Sequence, residues 1–521
     1  MAPVLSTLRP IAIASIAVTF LLSCAHLPEP VAWHEVTDGN LVVRSCDQEA
    51  DTLELVADLR EIRATLSEMI PSIPMDDKIP FRVRILCSDS DLDLMNPRPV
   101  QGNHFVQSVR GIRFDSIYES QWVGTITLAG GTEVLVRRRA VKSTSDLIRH
   151  HYAHHLIRAY SSVPVWIDEG LAAFVSTTKR EKGQVLRGRM PFGIRSLGGA
   201  DVGVPLGRIL RAVDLLDWPA DERFEFYQGS WTFIHFLRFA RAAGDEPMGP
   251  RLLRFTQLRE DGTGEESAAE QAFGEMPLRL RQDADRYVRI RAVSVDKGQL
   301  TPAIYSNAAS GLEARSIRDD EVAADLGAVA VEWGRPSDGV VLLDRALRMD
   351  PENARLLARR ARALALEGDW NAALASLARA EEREPESLDV LLDGARLYLE
   401  KTDSSKNFAE DLRQAKSRAD RAVEVAPLSG QAHFLVGLTQ MRLGEMASAV
   451  VSLEVALENS PGAFEVGAAL AESYAAVGRV EDARVLAEQI AGWVLGERRG
   501  EQTRKLLDEL GSAEPGEAHG G

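Results

Sequence analysis

Four of the chain's ten histidines fall in one six-residue window, His150-His151-Tyr152-Ala153-His154-His155. The window sits in an expected helix. Ser143, Thr144 and Ser145 are its candidate N-caps, Asp146 falls in its first turn, and Leu147, Ile148, Leu156 and Ile157 give it an apolar side. Residues four apart share a helix face with Cβ atoms ~5 to 6 Å apart, so the rings of His150 and His154 can reach one metal ion. His151 and His155 offer a second pair at the same spacing. Downstream, the apolar segment Val165-Trp166-Ile167-Asp168-Glu169-Gly170-Leu171-Ala172-Ala173-Phe174 carries an acidic pair near its start.

Together the two segments resemble the gluzincin metallopeptidases, in particular the peptidase-MA-like group. In that group H-E-Y-x-H-H-L is followed downstream by W-x-N/D-E-G-x-A-x-Y/F. The resemblance implies that His150 and His154 are the first two zinc ligands and Glu169 the third, with water in the fourth tetrahedral position, as in a catalytic zinc site. It also implies an α+β domain, covering about Trp33 to Tyr287. One residue departs from the pattern: His151 stands where the family has the glutamate that moves a proton from zinc-bound water to the leaving amine. A register starting at His151 does not restore it, because Tyr152 then takes the second position. An imidazole at 151 can act as a base, stay neutral beside a dication or become an extra ligand, so zinc binding is expected to survive better than proteolysis.

Two further residues follow from the same resemblance. Phe224-Glu225-Phe226-Tyr227-Gln228-Gly229-Ser230-Trp231 is similar to the Y-x-x-S-W helix of the group. There Tyr227 is a candidate donor to a developing oxyanion, or else one more core aromatic among Trp231, Ile234 and Leu237. Asp168 is a candidate to orient a ligand histidine, or a plain helix-capping residue.

The elements around this site begin after the N-terminal segment. Residues 1–23 carry one positive charge, Arg9, an apolar stretch from Ile11 to Leu22, and a small residue before Cys24. The apolar run is too short to cross ~30 Å of hydrocarbon as a helix. It resembles a bacterial lipobox, which implies cleavage before Cys24, acylation of that cysteine and residence in the cell envelope, with an ordinary secretory signal as the alternative. Ala25 resembles the signal for an outer-membrane location facing the periplasm. After a tether at 24–32, the β-rich runs Asn40 to Cys46 and Pro80 to Cys87 flank an amphipathic helix marked by Leu53, Val56, Leu59, Ile62, Leu66 and Met69. A βαβ order sets two parallel strands near each other with their C-terminal ends level. Cys46 and Cys87 would then be neighbours, either disulfide-bonded as an exported protein permits or two buried thiols. Further β-rich stretches lie at Phe105 to Phe114 and Thr125 to Val136.

The second half is periodic. Prolines at 351, 385, 427 and 461 are spaced by 34, 42 and 34 residues. Gly327, Ala361, Ala395, Gly437 and Ala471 keep the same register, as do Gly339, Ala373, Ala415, Ala449 and Ala483. Small residues let paired helices cross closely, and each proline stops the second helix of a unit. The pattern resembles the tetratricopeptide repeat, about five units over 320–497 with an insertion near Lys401 to Phe408. It implies an all-α superhelix whose concave face holds a protein or peptide partner.

Composition sets the outer limits. A chain of 521 residues with 45% hydrophobic and 26% charged residues and three cysteines is neither a disulfide scaffold nor a membrane-spanning bundle. The net charge of −16 is uneven: residues 1–310 hold 36 basic and 39 acidic side chains, residues 311–521 hold 25 and 38. The nets are −3 and −13. So acidic a second half disfavours nucleic acid, and its acidity favours a basic partner unless it is merely a solvated face. The expected organisation is a peptidase-like domain at 33–305, a linker at 306–319, the repeats, and a Gly-, Glu- and Ala-rich tail within 498–521. The charge shift and the onset of the period agree on a boundary between about Asp296 and Asp320, and the two halves are expected to fold separately. Two functions fit: a lipid-anchored zinc-peptidase-like enzyme whose repeats recruit a substrate, or a non-catalytic envelope scaffold.

Overall fold

The computed structural model describes residues 32–77, 79–86, 122–128, 131–137, 141–161, 163–181, 184–189, 206–209, 212, 218–239, 249–261, 263–274, 299–302, 304, 309–332, 334–402, 407–491, 505–508 and 510. The segment 1–23 expected to be a signal, Cys24, Cys87 and the stretch Phe105 to Phe114 lie outside them. Among the described residues no helix is long and apolar enough to cross a membrane.

The first half is built on a six-stranded mixed sheet. Strands β1 (Trp33–Asp38) and β2 (Leu41–Ser45) form a hairpin, helix α1 (Glu49–Met69) crosses over, and β3 (Phe81–Leu86) returns parallel to β2. Hairpin strands β4 (Trp122–Leu128) and β5 (Gly131–Arg137) add to the far side, with β5 parallel to β3. The strand order is β4-β5-β3-β2-β1-β9, and β9 is Ala314–Ile317. Cys46, just past the end of β2, is disulfide-bonded.

Alternation along the strands assigns the two faces of the sheet. Val36, Leu41, Val43, Phe81, Val83, Ile85 and Val134 join one buried cluster with Leu59, Ile62 and Leu66 of α1 and with Ile148, Tyr152 and Leu156 of α2 (Val141–Tyr160). Helix α2 therefore begins before Ser143, Thr144 and Ser145, which lie inside it rather than capping it. Helix α3 (Val165–Ser176) follows, and then a small antiparallel sheet of β6 (Lys179–Glu181), β7 (Gln184–Arg187) and β8 (Gln299–Pro302). Helices α4 (Ala220–Phe239), α5 (Gly249–Glu260) and α6 (Glu265–Phe273) complete this half. The rings of Trp166, Phe233, Phe255 and Phe273 pack together where they meet, Phe255 and Phe273 stacked and the other pairs tilted. At ~1.5 to 3 kcal/mol for each large side chain removed from water, this aromatic centre fixes α3 firmly.

The other face of the sheet corrects the expected linker. Residues 314–317 form an edge strand paired with β1, and α7 (Asp319–Glu332) packs behind it. Trp33, Cys46, Leu86, Leu135 and Ile317 share a cluster with Val322, Leu326 and Val329 of α7 and Leu342 of α8 (Pro336–Leu347). Asp325 of α7 takes Arg84 at 2.5 Å and Arg44 at 2.7 Å. A sheet whose second face presents Trp33, Leu86 and Leu135 needs a cover, and the first repeat supplies it. The two halves therefore share a core.

Eight more helices continue the array in pairs with α7 and α8: α9 (Ala354–Leu366) with α10 (Trp370–Arg383), α11 (Leu388–Thr402) with α12 (Phe408–Val425), α13 (Gly430–Leu443) with α14 (Met446–Asn459), and α15 (Phe464–Ala476) with α16 (Val480–Ala491). The small residues sit where the pairs cross. A Cβ on Gly327 would lie 2.8 Å from Leu343, one on Gly339 2.7 Å from Val331, and one on Gly437 2.6 Å from Leu453. The 42-residue interval is taken up in the third pair, where α12 runs for 18 residues.

Candidate metal centre

Every residue of α3 is buried. Two adjacent carboxylates, Asp168 and Glu169, therefore lie inside the domain, where an ionised carboxylate is costly unless it is paired or bound to a cation. Gly170 explains how the helix fits. A Cβ there would lie 2.6 Å from Ile234 and 2.7 Å from the Ser230 carbonyl of α4, so only glycine lets α3 and α4 approach this closely.

Asp168 is fully partnered. One oxygen lies 2.6 Å from His154 Nδ1 and the other accepts from Arg158 Nε at 2.7 Å. Burial acts to raise the Asp168 carboxyl, but Arg158 and His154 outweigh it and hold it down to about 2. A carboxylate at that Nδ1 keeps the proton on Nδ1 and leaves the lone pair on Nε2, the form a metal needs.

Glu169 is only half partnered. Its Oε1 accepts from Arg158 Nη2 at 3.4 Å, while Oε2 is buried and accepts no hydrogen bond among the described residues. That oxygen lies 3.4 Å from His154 Nε2 and 3.9 Å from His150 Nε2, and the two Nε2 atoms are 3.0 Å apart. Ligand atoms of His150, His154 and Glu169 all fall within 4.8 Å of one another. Two imidazole nitrogens of α2 and one carboxylate oxygen of the buried α3 could hold a divalent cation. The donor set and the orphaned oxygen both fit zinc.

His150 keeps a path to solvent, with 25% of its side chain exposed, whereas His154 is buried. Burial, and then His154, push the His150 imidazole down to about 4. Asp168 raises His154 against the effect of burial.

The remaining sequence candidates are placed differently. The His151 ring stands 5.7 Å from that of His150 and 6.3 Å from that of His154, beside the three-residue group rather than in it. Burial, then His150 and His154, push it well below the ordinary histidine range. His155 does not pair with His151. It turns into the core, 2.9 Å from Thr132 Oγ1 and 3.2 Å from Asp77 Oδ2, and so belongs to a buried structural network. Tyr227 is buried on α4, its ring 5.8 Å from that of Phe226. Arg158 is a further residue of the site, in contact with both carboxylates. It lies four residues beyond His154, so the spacing that singled out His150 and His154 also pointed to it.

Residues 330–386 and 408–464 each match a tetratricopeptide-repeat family model. A tetratricopeptide-repeat protein of the thermophile Thermus thermophilus is similar at 25% identity, over 37% of this chain and 98% of that one, with a TM-score of 0.33. PilF of Pseudomonas aeruginosa is similar at 18% identity, over 37% and 89%, with a TM-score of 0.30. A MamA protein is similar at 16% identity, over 36% and 94%, with a TM-score of 0.26. No curated protein matches the chain. The family matches, the helix pairs and the small residues at their crossings agree: the C-terminal half is a tetratricopeptide-repeat superhelix, a fold that generally mediates protein–protein interaction.

Proposed function

We propose that the chain is a lipid-anchored protein of the bacterial cell envelope with a zinc-binding, metallopeptidase-like site. On this reading the repeat array holds the protein or peptide partner that the site serves. The observation that carries it is the buried Oε2 of Glu169, which accepts no hydrogen bond among the described residues and faces two histidine nitrogens. An anionic oxygen left bare inside a domain costs several kcal/mol, and a bound cation removes that cost. His150, His154 and Glu169 would hold the zinc, Asp168 would orient His154, and bound zinc would supply an acidified water. The direct test is metal content of the purified chain from Ala25 onward. The expected result is about one zinc per chain, lost in His150→Ala because two ligands hold a tetrahedral site poorly. A well-folded protein that takes up no zinc from excess metal would refute the site.

A second reading, the non-catalytic scaffold, is favoured by His151. No carboxylate follows His150, so the group that moves the proton in the peptidases it resembles is missing. Both readings keep the zinc site and the repeats.

A further inference from the structure

Arg158 extends the histidine face of α2 by one more turn and touches both acidic residues of α3. Its Nε donates to Asp168 Oδ2 at 2.7 Å and its Nη2 to Glu169 Oε1 at 3.4 Å. One guanidinium thus holds the carboxylate that orients His154 and the carboxylate that faces the histidine pair. It takes Oε1 of Glu169 and leaves the other oxygen, Oε2, beside the imidazoles. A planar fork reaches both carboxylates from separate nitrogens, whereas the three N–H donors of a lysine ammonium all radiate from one nitrogen.

The repeat array reaches the same residue. Gly462, in the turn between α14 and α15, has a φ of +77°, and a Cβ there would lie 3.3 Å from both the carbonyl carbon and oxygen of Arg158. The turn of the fourth repeat lies against the backbone of the last turn of α2.

We propose that Arg158 is a positioning residue that fixes Glu169 in its ligating orientation, and that the fourth repeat seats it. The inference rests on the zinc reading given above. It carries a sign that separates it from simple charge balance. A cation beside a metal site repels the metal, so removing Arg158 would tighten binding if charge were its only contribution. Positioning makes the opposite prediction.

The experiment measures zinc affinity of the full mature chain by competition with a chromophoric chelator, with the cobalt(II) absorption spectrum reporting the coordination geometry. Arg158→Gln is expected to weaken zinc roughly 10- to 100-fold, the usual effect of losing a group that orients a ligand, and to alter the cobalt spectrum. Arg158→Lys keeps the charge without the fork and is expected to fall between. Gly462→Leu is expected to weaken zinc severalfold, while Gly478→Leu is the control: its φ of +81° carries the same backbone strain, but nothing lies within 4 Å of the added carbon. Metal-free melting temperatures identify any variant that fails to fold, in which case Arg158→Lys and the glycine pair decide. Arg158→Gln binding as tightly as wild type, or more tightly, overturns the positioning role. Equal affinity of the two glycine variants overturns the seat. Absence of zinc from the wild type sinks the underlying site instead.

Discussion

At the scale of single residues, the position after His150 separates an enzyme from a scaffold. An imidazole at 151, pushed well below its ordinary pKa by burial and two neighbouring histidines, is a weaker base than the carboxylate it replaces in the family pattern and a poor acceptor for a proton from bound water. Loss of a positioned acid–base group typically lowers rate by ~10² to 10⁴. Zinc-loaded wild type is therefore expected to cleave fluorogenic peptides at or near background. His151→Glu is expected to raise that rate by about 10² or more, at unchanged zinc content. Strong wild-type hydrolysis that is lost in His151→Ala would show a working imidazole base and overturn the scaffold reading.

At the scale of elements, the contact between α7 and the sheet explains why the halves do not part at the expected boundary. Burial would raise the Asp325 carboxyl, but Arg84 and Arg44 hold it down to about 2. The folded pKa lies below the unfolded value of 3.8, so the stabilisation is fully present above about pH 4 and is lost as pH falls toward 2. A shift of this size corresponds to about 2 kcal/mol. Urea unfolding at pH 7 is expected to show Asp325→Asn less stable than wild type by at least that amount, with the gap narrowing when the titration is repeated near pH 3. A gap that does not change with pH would mean the ion pairs do not hold the two halves together.

At the scale of the whole molecule, the array docks by its first repeat on the sheet and touches α2 again through the turn after α14. A protein partner gripped by the repeats would therefore be held close to the domain that carries the histidines. The proposed anchor sits only a short tether away from that domain, since β1 begins at Trp33. The mature chain is expected to fractionate with membranes and Cys24→Ser to be released to the soluble fraction, because acyl chains supply the attachment. A Cys24→Ser protein that stays with the membranes would remove the lipid-anchor proposal.

Local pattern and tertiary packing divided the determination of this molecule between them. The helical spacing of His150 and His154, the Asp168-Glu169-Gly170 triplet, the βαβ order and the 34-residue period are all properties of short stretches of chain, where side-chain direction follows from periodicity alone. Those were legible in the sequence, as was the insertion in the third repeat. The fate of His155 was not. Its spacing from His151 copies that of the ligand pair, and only the packing of α2 on β5 turns it toward Thr132 and Asp77. Nor was the edge strand at 314–317 legible, because four residues of which only Ile317 is buried gain a strand's hydrogen bonds only when β1 lies beside them. Arg158 stood in the sequence at the right interval, but an arginine on a helix is most often a solvated charge. Burial of α3 beside it, decided by the tertiary structure, turned it into the partner of two interior carboxylates.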